Sequence, residues 1–350
     1  VSGGFIFSPI DDEGAAGMAT VRVGVYGASG YAGQDAVEIL SRHPKVELIF
    51  GTSGTYAGQP IPFTGLRYIP PDQADLATVD AVFLGLPHTA SAKIAAQALQ
   101  AGVKVVDLSA DFRLATAESY KQWYGHEHPH PELLPVTYGL PEFNRAHISG
   151  KNLIAAPGCY PTTTLLGVYP VLKHDWLVED APVIVDAKSG VSGAGREPKP
   201  NTHFVEVYSN FSPYNPGRVH RHTGEIEQEM QRINPKAGML IFTPHLLPVD
   251  RGLMASIYVT LKDGVSATDA QALYEETYAQ EPLVQVLPKG QQATLKHVVR
   301  TNGAAISLTP VTDRYLHITS VTDNLRKGAS GQAVQCFNLM MGFPETTALL

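Results

Sequence analysis

The sequence predicts an α/β protein, a doubly wound parallel sheet followed by an α+β region. Three observations carry this. A short β-branched stretch, Val21 to Tyr26, runs into a glycine-rich turn and then a helical segment. The strands that follow in the first half are apolar throughout and alternate with helices, the mark of a parallel sheet covered on both faces. From Val183 onward the strand candidates are shorter or alternating, which fits a mixed or antiparallel sheet in an α+β domain.

The elements follow in order. Val21-Arg22-Val23-Gly24-Val25-Tyr26 is the first strand, and Gln34 to Ser41 the first helix. Val46 to Phe50 is the second strand. Val79 to Leu86 and Val103 to Leu108 are further strands, separated by the alanine-rich helix Ser91 to Ala101. Leu153-Ile154-Ala155-Ala156 leads to Cys159. In the second half, strands are expected at Val183 to Ala187, Leu240 to Phe242, Ala255 to Leu261, Ala304 to Leu308 and Tyr315 to Val321, with a helix at Ala267 to Ala279. Ser330 to Met341 reads as an amphipathic helix with Ala333, Phe337, Met340 and Met341 near one face. Residues 18–158 with 325–350 are expected to form one domain and 159–324 the other, with a cleft between them. Residues 1–17 read as a leader or an extension, and Met18 as a native start.

Composition excludes some classes. A chain of 350 residues with 44% hydrophobic and 17% charged content is ordinary for two globular domains. Its 33 acidic against 26 basic residues give a formal charge of −7, which argues against a nucleic-acid partner. No apolar run reaches the roughly 18 residues of a membrane span. Two cysteines suggest a reducing, cytoplasmic setting rather than a disulfide framework. The expected partner is a small molecule.

The turn Gly27-Ala28-Ser29-Gly30-Tyr31-Ala32-Gly33 lies between a strand and a helix, where backbone N–H groups can approach a phosphate. Its spacing is G-x-x-G-x-x-G rather than G-x-G-x-x-G, and its flanks make it a dinucleotide loop rather than a plain turn. An NAD site usually carries an acidic residue at the end of the second strand. Here that strand runs out through Gly51-Thr52-Ser53. No carboxylate is present to repel a 2′-phosphate, and Thr52 and Ser53 offer hydroxyls, so the cofactor expected is NADP.

Cys159 sits in Ala156-Pro157-Gly158-Cys159-Tyr160-Pro161-Thr162, after an apolar strand and before a helical run. A helix N-terminus offers unpaired N–H groups and partial positive charge, both of which favour a thiolate. A thiolate so placed is a nucleophile for acyl groups; the alternative is a small buried hydrophobe. His126-Glu127-His128-Pro129-His130 could hold zinc on one face, but a polar, proline-rich loop fits better, and no metal is expected. Cys336 reads as packed. Glu225-Ile226-Glu227-Gln228-Glu229 reads as the solvated face of a helix from Glu225 to Arg232.

Taken in order, the glycine loop, Asp107-Leu108-Ser109-Ala110-Asp111-Phe112-Arg113, the Cys159 segment, Ser189 to Arg196, His220-Arg221-His222, Phe242-Thr243-Pro244-His245-Leu246 and Asp323 to Ala329 closely resemble the N-acetyl-γ-glutamyl-phosphate reductase family of arginine biosynthesis. The resemblance covers about residues 20 to 350. It implies a Rossmann-type domain joined to a glyceraldehyde-3-phosphate dehydrogenase-like substrate and dimerisation domain. It also implies reduction of an acyl phosphate to an aldehyde by NADPH through a cysteine thioester. By this resemblance Cys159 is the nucleophile and His220 the acid/base, with His222 on the same face of an extended segment and able to exchange roles with it. The family pattern has proline where Gly224 stands, a departure that would loosen the following helix start. Arg113 is expected to meet the substrate phosphate, the alternative being a surface ion pair with Asp111 or Glu118. Arg196 is expected to meet a carboxylate or phosphate. Ser192, Gly193 and Asn324 are expected against the nicotinamide, and Leu86-Pro87-His88, closing the fourth strand, beside the cofactor. A homo-oligomer, dimer or tetramer, is implied by the family alone. Two other readings stay open: a related reductase acting on an aspartyl or carrier-linked aminoadipyl phosphate, and a non-catalytic NADP-sensing protein.

Overall fold

The structure, a computed structural model, describes residues 20–350. The expected leader or extension at 1–17 and the start at Met18 lie outside the described residues. The chain divides into two compact units, 20–158 with 329–350 and 159–328.

In the first unit the chain order is β1 (Val21–Tyr26), α1 (Tyr31–Ser41), β2 (Val46–Gly51), β3 (Ala81–Leu84), α2 (Ala90–Gln100), β4 (Lys104–Asp107), α3 (Ala117–Tyr124), β5 (Thr137–Tyr138), α4 (Pro141–Ile148) and β6 (Leu153–Ala155). The strands form one sheet in the order β2-β1-β3-β4-β6-β5, and every neighbouring pair is parallel. The unbroken apolar strands earn this arrangement: all of β3 is buried, as a strand with both faces covered must be. The strand order reverses at β1, which has β2 on one side and β3 on the other. That is where open α/β sheets bind ligands, outside the strands' carboxyl ends.

The second unit runs α5 (Cys159–Lys173), β7 (Val183–Gly190), α6 (Phe204–Val207), β8 (Ser212–Pro213), α7 (His222–Ile233), β9 (Leu240–Leu247), β10 (Leu253–Thr260), α8 (Ala270–Tyr278), β11 (Val284–Val286), β12 (Ala304–Pro310) and β13 (Tyr315–Thr322). Its seven strands form a mixed sheet in the order β11-β12-β13-β10-β7-β9-β8. In β10 the period-two pattern is plain: Leu253, Ala255, Ile257 and Val259 are buried, while the residues between them are not. Helix α5 keeps Pro170 in its interior. A proline there has no N–H for the carbonyl four residues back. The Tyr278 hydroxyl of α8 donates to that Leu166 carbonyl instead, and Tyr274 donates to the next one, Gly167 O, at 2.6 Å.

A π-type turn, Arg326–Ser330, carries the chain from the second unit back into the first and leads into α9 (Gly331–Met341). The expected amphipathic helix is instead buried on nearly all sides, including Gln332, Gln335 and Asn338. The amide N–H groups of these side chains find partners within the unit: Gln332 donates to Gly139 O at 2.9 Å, Gln335 to Glu345 at 2.9 Å, and Asn338 to the Glu345 and Thr347 carbonyls. Cys336 is packed here, its thiol donating to Gly139 O. The acidic run of α7 is a second correction. Glu225 and Glu229 are buried rather than solvated, and burial pushes the Glu229 carboxyl above its usual range.

Candidate functional site

The dinucleotide loop is assembled by three strand ends of the first unit. Gly27, at φ 71°, lies so close to the residue after β3 that a Cβ would stand 2.3 Å from Gly85 O. A Cβ on Gly33 would stand 2.2 Å from Gly27 O. Those two glycines are demanded by the protein's own packing. Gly30 is different. It caps α1 with φ −68°, and a Cβ there would meet nothing nearer than 3.5 Å. Among the described residues no contact asks for glycine at 30, and its absent side chain leaves the start of α1 open. Tyr31 projects outward at the helix start, and Ala32 O accepts from the Ser330 hydroxyl at 2.6 Å.

The β2 end folds back on this loop. Thr52 Oγ1 accepts the Gly27 N–H at 3.1 Å, and Thr52 is fully buried. The hydroxyl thereby holds the glycine loop. The Ser29 hydroxyl donates to Ser53 Oγ at 2.8 Å, which leaves a pair of serines at the strand end. Leu86-Pro87-His88 does not close a fourth strand. β3 is the third along the chain and stops at Leu84, so these residues form the loop beyond it. That loop includes Thr89 at φ 67°, ψ −31°, an unfavourable region for a β-branched residue.

The reason for that loop shape lies in a segment the sequence singled out for another purpose. Asp111 accepts the Thr89 and Ala92 N–H groups at 2.9 Å each and the Tyr120 hydroxyl at 2.8 Å, and so caps α2. Asp107 accepts from the Ser109 N–H and hydroxyl. Burial, then the nearby Asp111 charge, pushes the Asp107 carboxyl up to about 7. Arg113 is buried, with Nε donating to Ala156 O at 2.9 Å and Nη2 to Leu108 O at 2.7 Å. It is not the surface ion-pair residue of the alternative reading; it braces the peptide three residues ahead of Cys159. The three histidines between 126 and 130 turn to different partners: His128 to Asp111 O and His130 N–H, His130 to Glu132, and His126 against the Tyr120 ring.

In the second unit Cys159 is the first residue of α5 and is half-exposed. A residue the sequence reading missed lies against it. A Cβ at Gly328 would stand 2.9 Å from Cys159 Cβ. Gly328 N–H donates to Asp323 O at 2.9 Å. The Asp323 carboxylate is fully buried and accepts from the Arg300, Leu325 and Arg326 N–H groups. Asn324 is also buried. It accepts the Gly252 N–H at 2.8 Å and donates to Ser192 Oγ at 3.0 Å. Its amide therefore fixes the Ser192-Gly193 turn. Arg196, past Gly195, is exposed.

His220 and His222 do not share an extended segment. Arg221 is helical, with φ −61° and ψ −24°, and α7 already begins at His222, so Gly224 lies inside the helix. The two rings still meet, with centroids 4.8 Å apart. His220 Nδ1 accepts the His222 backbone N–H at 3.2 Å, so the neutral His220 ring carries its proton on Nε2. Burial, helped by the Arg221 charge, pulls the His220 pKa down to about 4.

The family models and relatives agree with this picture. The semialdehyde dehydrogenase NAD binding domain matches residues 22–151, and the semialdehyde dehydrogenase dimerisation domain matches 159–324. An N-acetyl-gamma-glutamyl-phosphate reductase of Moorella thermoacetica is 43% identical over 341 residues, covering 94% of this chain and 98% of the relative. One from Magnetococcus marinus is 45% identical over 341 residues, covering 94% and 97%. The chain belongs to the N-acetyl-gamma-glutamyl-phosphate reductase family. The fold extends further. Aspartate semialdehyde dehydrogenase II of Vibrio cholerae, complexed with ASA, superposes with a TM-score of 0.73 at 20% identity over 92% of this chain and 98% of its own. The aspartate semialdehyde dehydrogenase of Candida albicans, solved with NADP, gives 0.69 at 16% identity over 91% and 98%. The α/β fold expected from the sequence is thus the fold of this family, with an NAD(P)-binding domain. Among the described residues no helix is long and apolar enough to cross a membrane, and no group of three metal-ligating side chains is arranged to hold an ion.

Proposed function

We propose that the chain reduces N-acetyl-γ-glutamyl phosphate to the semialdehyde with NADPH, releasing phosphate, through a thioester on Cys159. One observation carries the reading: in a member of this reductase family, a half-exposed cysteine opens a 15-residue helix, where unpaired N–H groups favour its thiolate. The thiolate attacks the acyl carbon, the C–S bond forms and the C–O bond to phosphate breaks. Bound NADPH supplies the hydride that converts the thioester to the aldehyde level. Collapse of the resulting hemithioacetal anion breaks the C–S bond, returns the thiolate and leaves the released phosphate to take up the one proton consumed.

His220 enters as a neutral ring. With a pKa near 4 it stores no proton at pH 7, so its acid/base role reduces to hydrogen-bond donation from Nε2 toward the oxygen that gains charge. His222 and the exposed Arg196 are the substrate-binding candidates, and Arg113 contributes its positive charge. Gly27, Gly30, Gly33 and Leu86 to His88 would cradle the dinucleotide, and Ser192, Gly193 and Asn324 would border the nicotinamide. The preference for NADP rests on the Ser29–Ser53 pair and on the missing carboxylate at the β2 end. Assembly as a dimer is supported by the open face of the second sheet. Ile241, Ile184 and Tyr258 lie in register across β9, β7 and β10, each at least 40% exposed. A cytoplasmic location keeps the thiol reduced.

The test is Cys159→Ser, assayed as phosphate-dependent NADP+ reduction by N-acetylglutamate semialdehyde. A loss of at least roughly 10³-fold is expected. Turnover near that of the parent protein would refute the thioester route. The same assay with aspartate semialdehyde, and with NAD+ in place of NADP+, separates the related substrates and cofactors. The lack of any turnover in the parent protein would favour a nucleotide-sensing role.

A further inference from the structure

A hydrogen-bond donor stabilises a developing charge only if it is aimed. We infer that Tyr160 and Tyr214 are positioning residues that aim the His220 ring, an inference that rests on the reaction proposed above. The His220 imidazole is enclosed by four aromatic rings: His222 at 4.8 Å, Tyr160 edge-on at 5.7 Å, Tyr214 at 5.4 Å and Phe242 at 5.4 Å between centroids. Tyr160 and Phe242 also meet edge-on, at 5.3 Å. Edge-to-face contacts of this kind resist rotation of the enclosed ring.

A directional chain of phenols locks the enclosure. The Tyr214 hydroxyl donates to Tyr160 Oη at 3.2 Å, and the Tyr160 hydroxyl donates to His245 O at 3.1 Å. Tyr214 N–H donates to Pro244 O at 3.0 Å, which anchors the same residue to the same strand, β9. Tyr160 immediately follows Cys159 in α5. The chain therefore ties the helix turn bearing the thiol, the segment leading to His220 and β9 to one another. Burial raises both phenols well above their ordinary range, so neither exchanges a proton near neutrality. Their part is geometric. Tyr214 stands out in its neighbourhood: Phe204, Tyr208 and Phe211 of the same segment are largely exposed, whereas Tyr214 turns inward.

The experiment compares Tyr214→Phe and Tyr214→Ala with the parent enzyme, reading kcat, KM, thermal midpoint and the His220 imidazole titration by NMR. Tyr214→Phe keeps the ring and loses the lock: kcat falls about 10-fold with KM within about twofold. Tyr214→Ala opens the enclosure: kcat falls roughly 100-fold, and the His220 titration moves from about 4 toward the ordinary 6.5. Recovery of about a factor of ten by phenylalanine over alanine marks the ring's share of the aiming, and the remaining factor of about ten marks the hydroxyl's. A purely structural role would lower the thermal midpoint without moving the titration or the kcat of the folded enzyme, and would overturn the inference. So would an alanine variant with parental kcat, provided Cys159→Ser is inactive. If Cys159→Ser remains active, it is the underlying reaction that fails.

Discussion

The three glycines of the dinucleotide loop make separable predictions. Gly33→Ala forces a Cβ to 2.2 Å from Gly27 O and 2.8 Å from Ala28 Cα, both backbone atoms that cannot swing aside. Displacing that turn should cost about 2–4 kcal/mol of stability. Gly30→Ala meets nothing inside 3.5 Å at an ordinary φ. Alanine is a poorer N-cap than glycine by about 0.5–1 kcal/mol. It also restricts the unfolded chain, a gain of about 0.4–1 kcal/mol, so the two nearly cancel. The new methyl group nevertheless stands where a pyrophosphate must approach the helix N-terminus. Gly30→Ala should therefore fold like the parent and bind NADP+ about 10- to 100-fold more weakly. Chemical denaturation and titration calorimetry on the two variants read the two quantities separately. Unchanged NADP+ affinity in Gly30→Ala would refute the assignment of this loop, as would a stability loss matching that of Gly33→Ala.

Two further outcomes follow from strain and burial. Thr89→Gly relieves a β-branched residue at φ 67° whose side chain makes no capping bond, and should raise stability by about 0.5–1.5 kcal/mol in a urea titration; a destabilised variant would contradict the strain. The His220 pKa of about 4 lies below the unfolded value of 6.5, so the unfolded chain binds the proton first. That contribution is complete above pH 6.5 and is lost as pH falls toward 4, amounting to about 3 kcal/mol at most. His220→Gln should flatten this part of the pH–stability curve, and an identical slope in both proteins would show that His220 is not buried as described.

What could be read from the sequence was local. The glycine turn, the strand before it and the cysteine opening α5 are patterns spanning a few residues, and their conformations follow from those residues. The elements that went astray depend on partners far along the chain. Glu225 and Glu229 look solvated in sequence because nothing in α7 reveals that the fold buries them. Helix α9 shows an apolar stripe, yet its polar side chains are buried because Gly139, Glu345 and Thr347 supply their partners. The bond from Gly27 N–H to Thr52 Oγ1 likewise joins residues 25 positions apart. Tyr214 lies in a loop of exposed neighbours and carries no pattern that would distinguish it.

The Asp107 to Arg113 segment, part of the family resemblance, has a structural task that its pattern did not announce. Each of its strongly polar side chains has partners within the first unit. Asp107 is engaged by Ser109, Asp111 by the first turn of α2 and by Tyr120, and Arg113 by two backbone carbonyls. A buried guanidinium bonded to Leu108 O and Ala156 O fixes the carboxyl ends of β4 and β6 relative to one another. A buried carboxylate on Thr89 N–H and Ala92 N–H sets the loop after β3. The loop after β3 borders the switch point, and the ends of β4 and β6 continue the same carboxyl edge of the sheet. The segment thus has a physical reason to accompany this fold whether or not any of its atoms touches substrate. Its charges act on the chemistry first by holding backbone in place: Arg113 bonds the carbonyl of Ala156, and three residues later the chain presents Cys159.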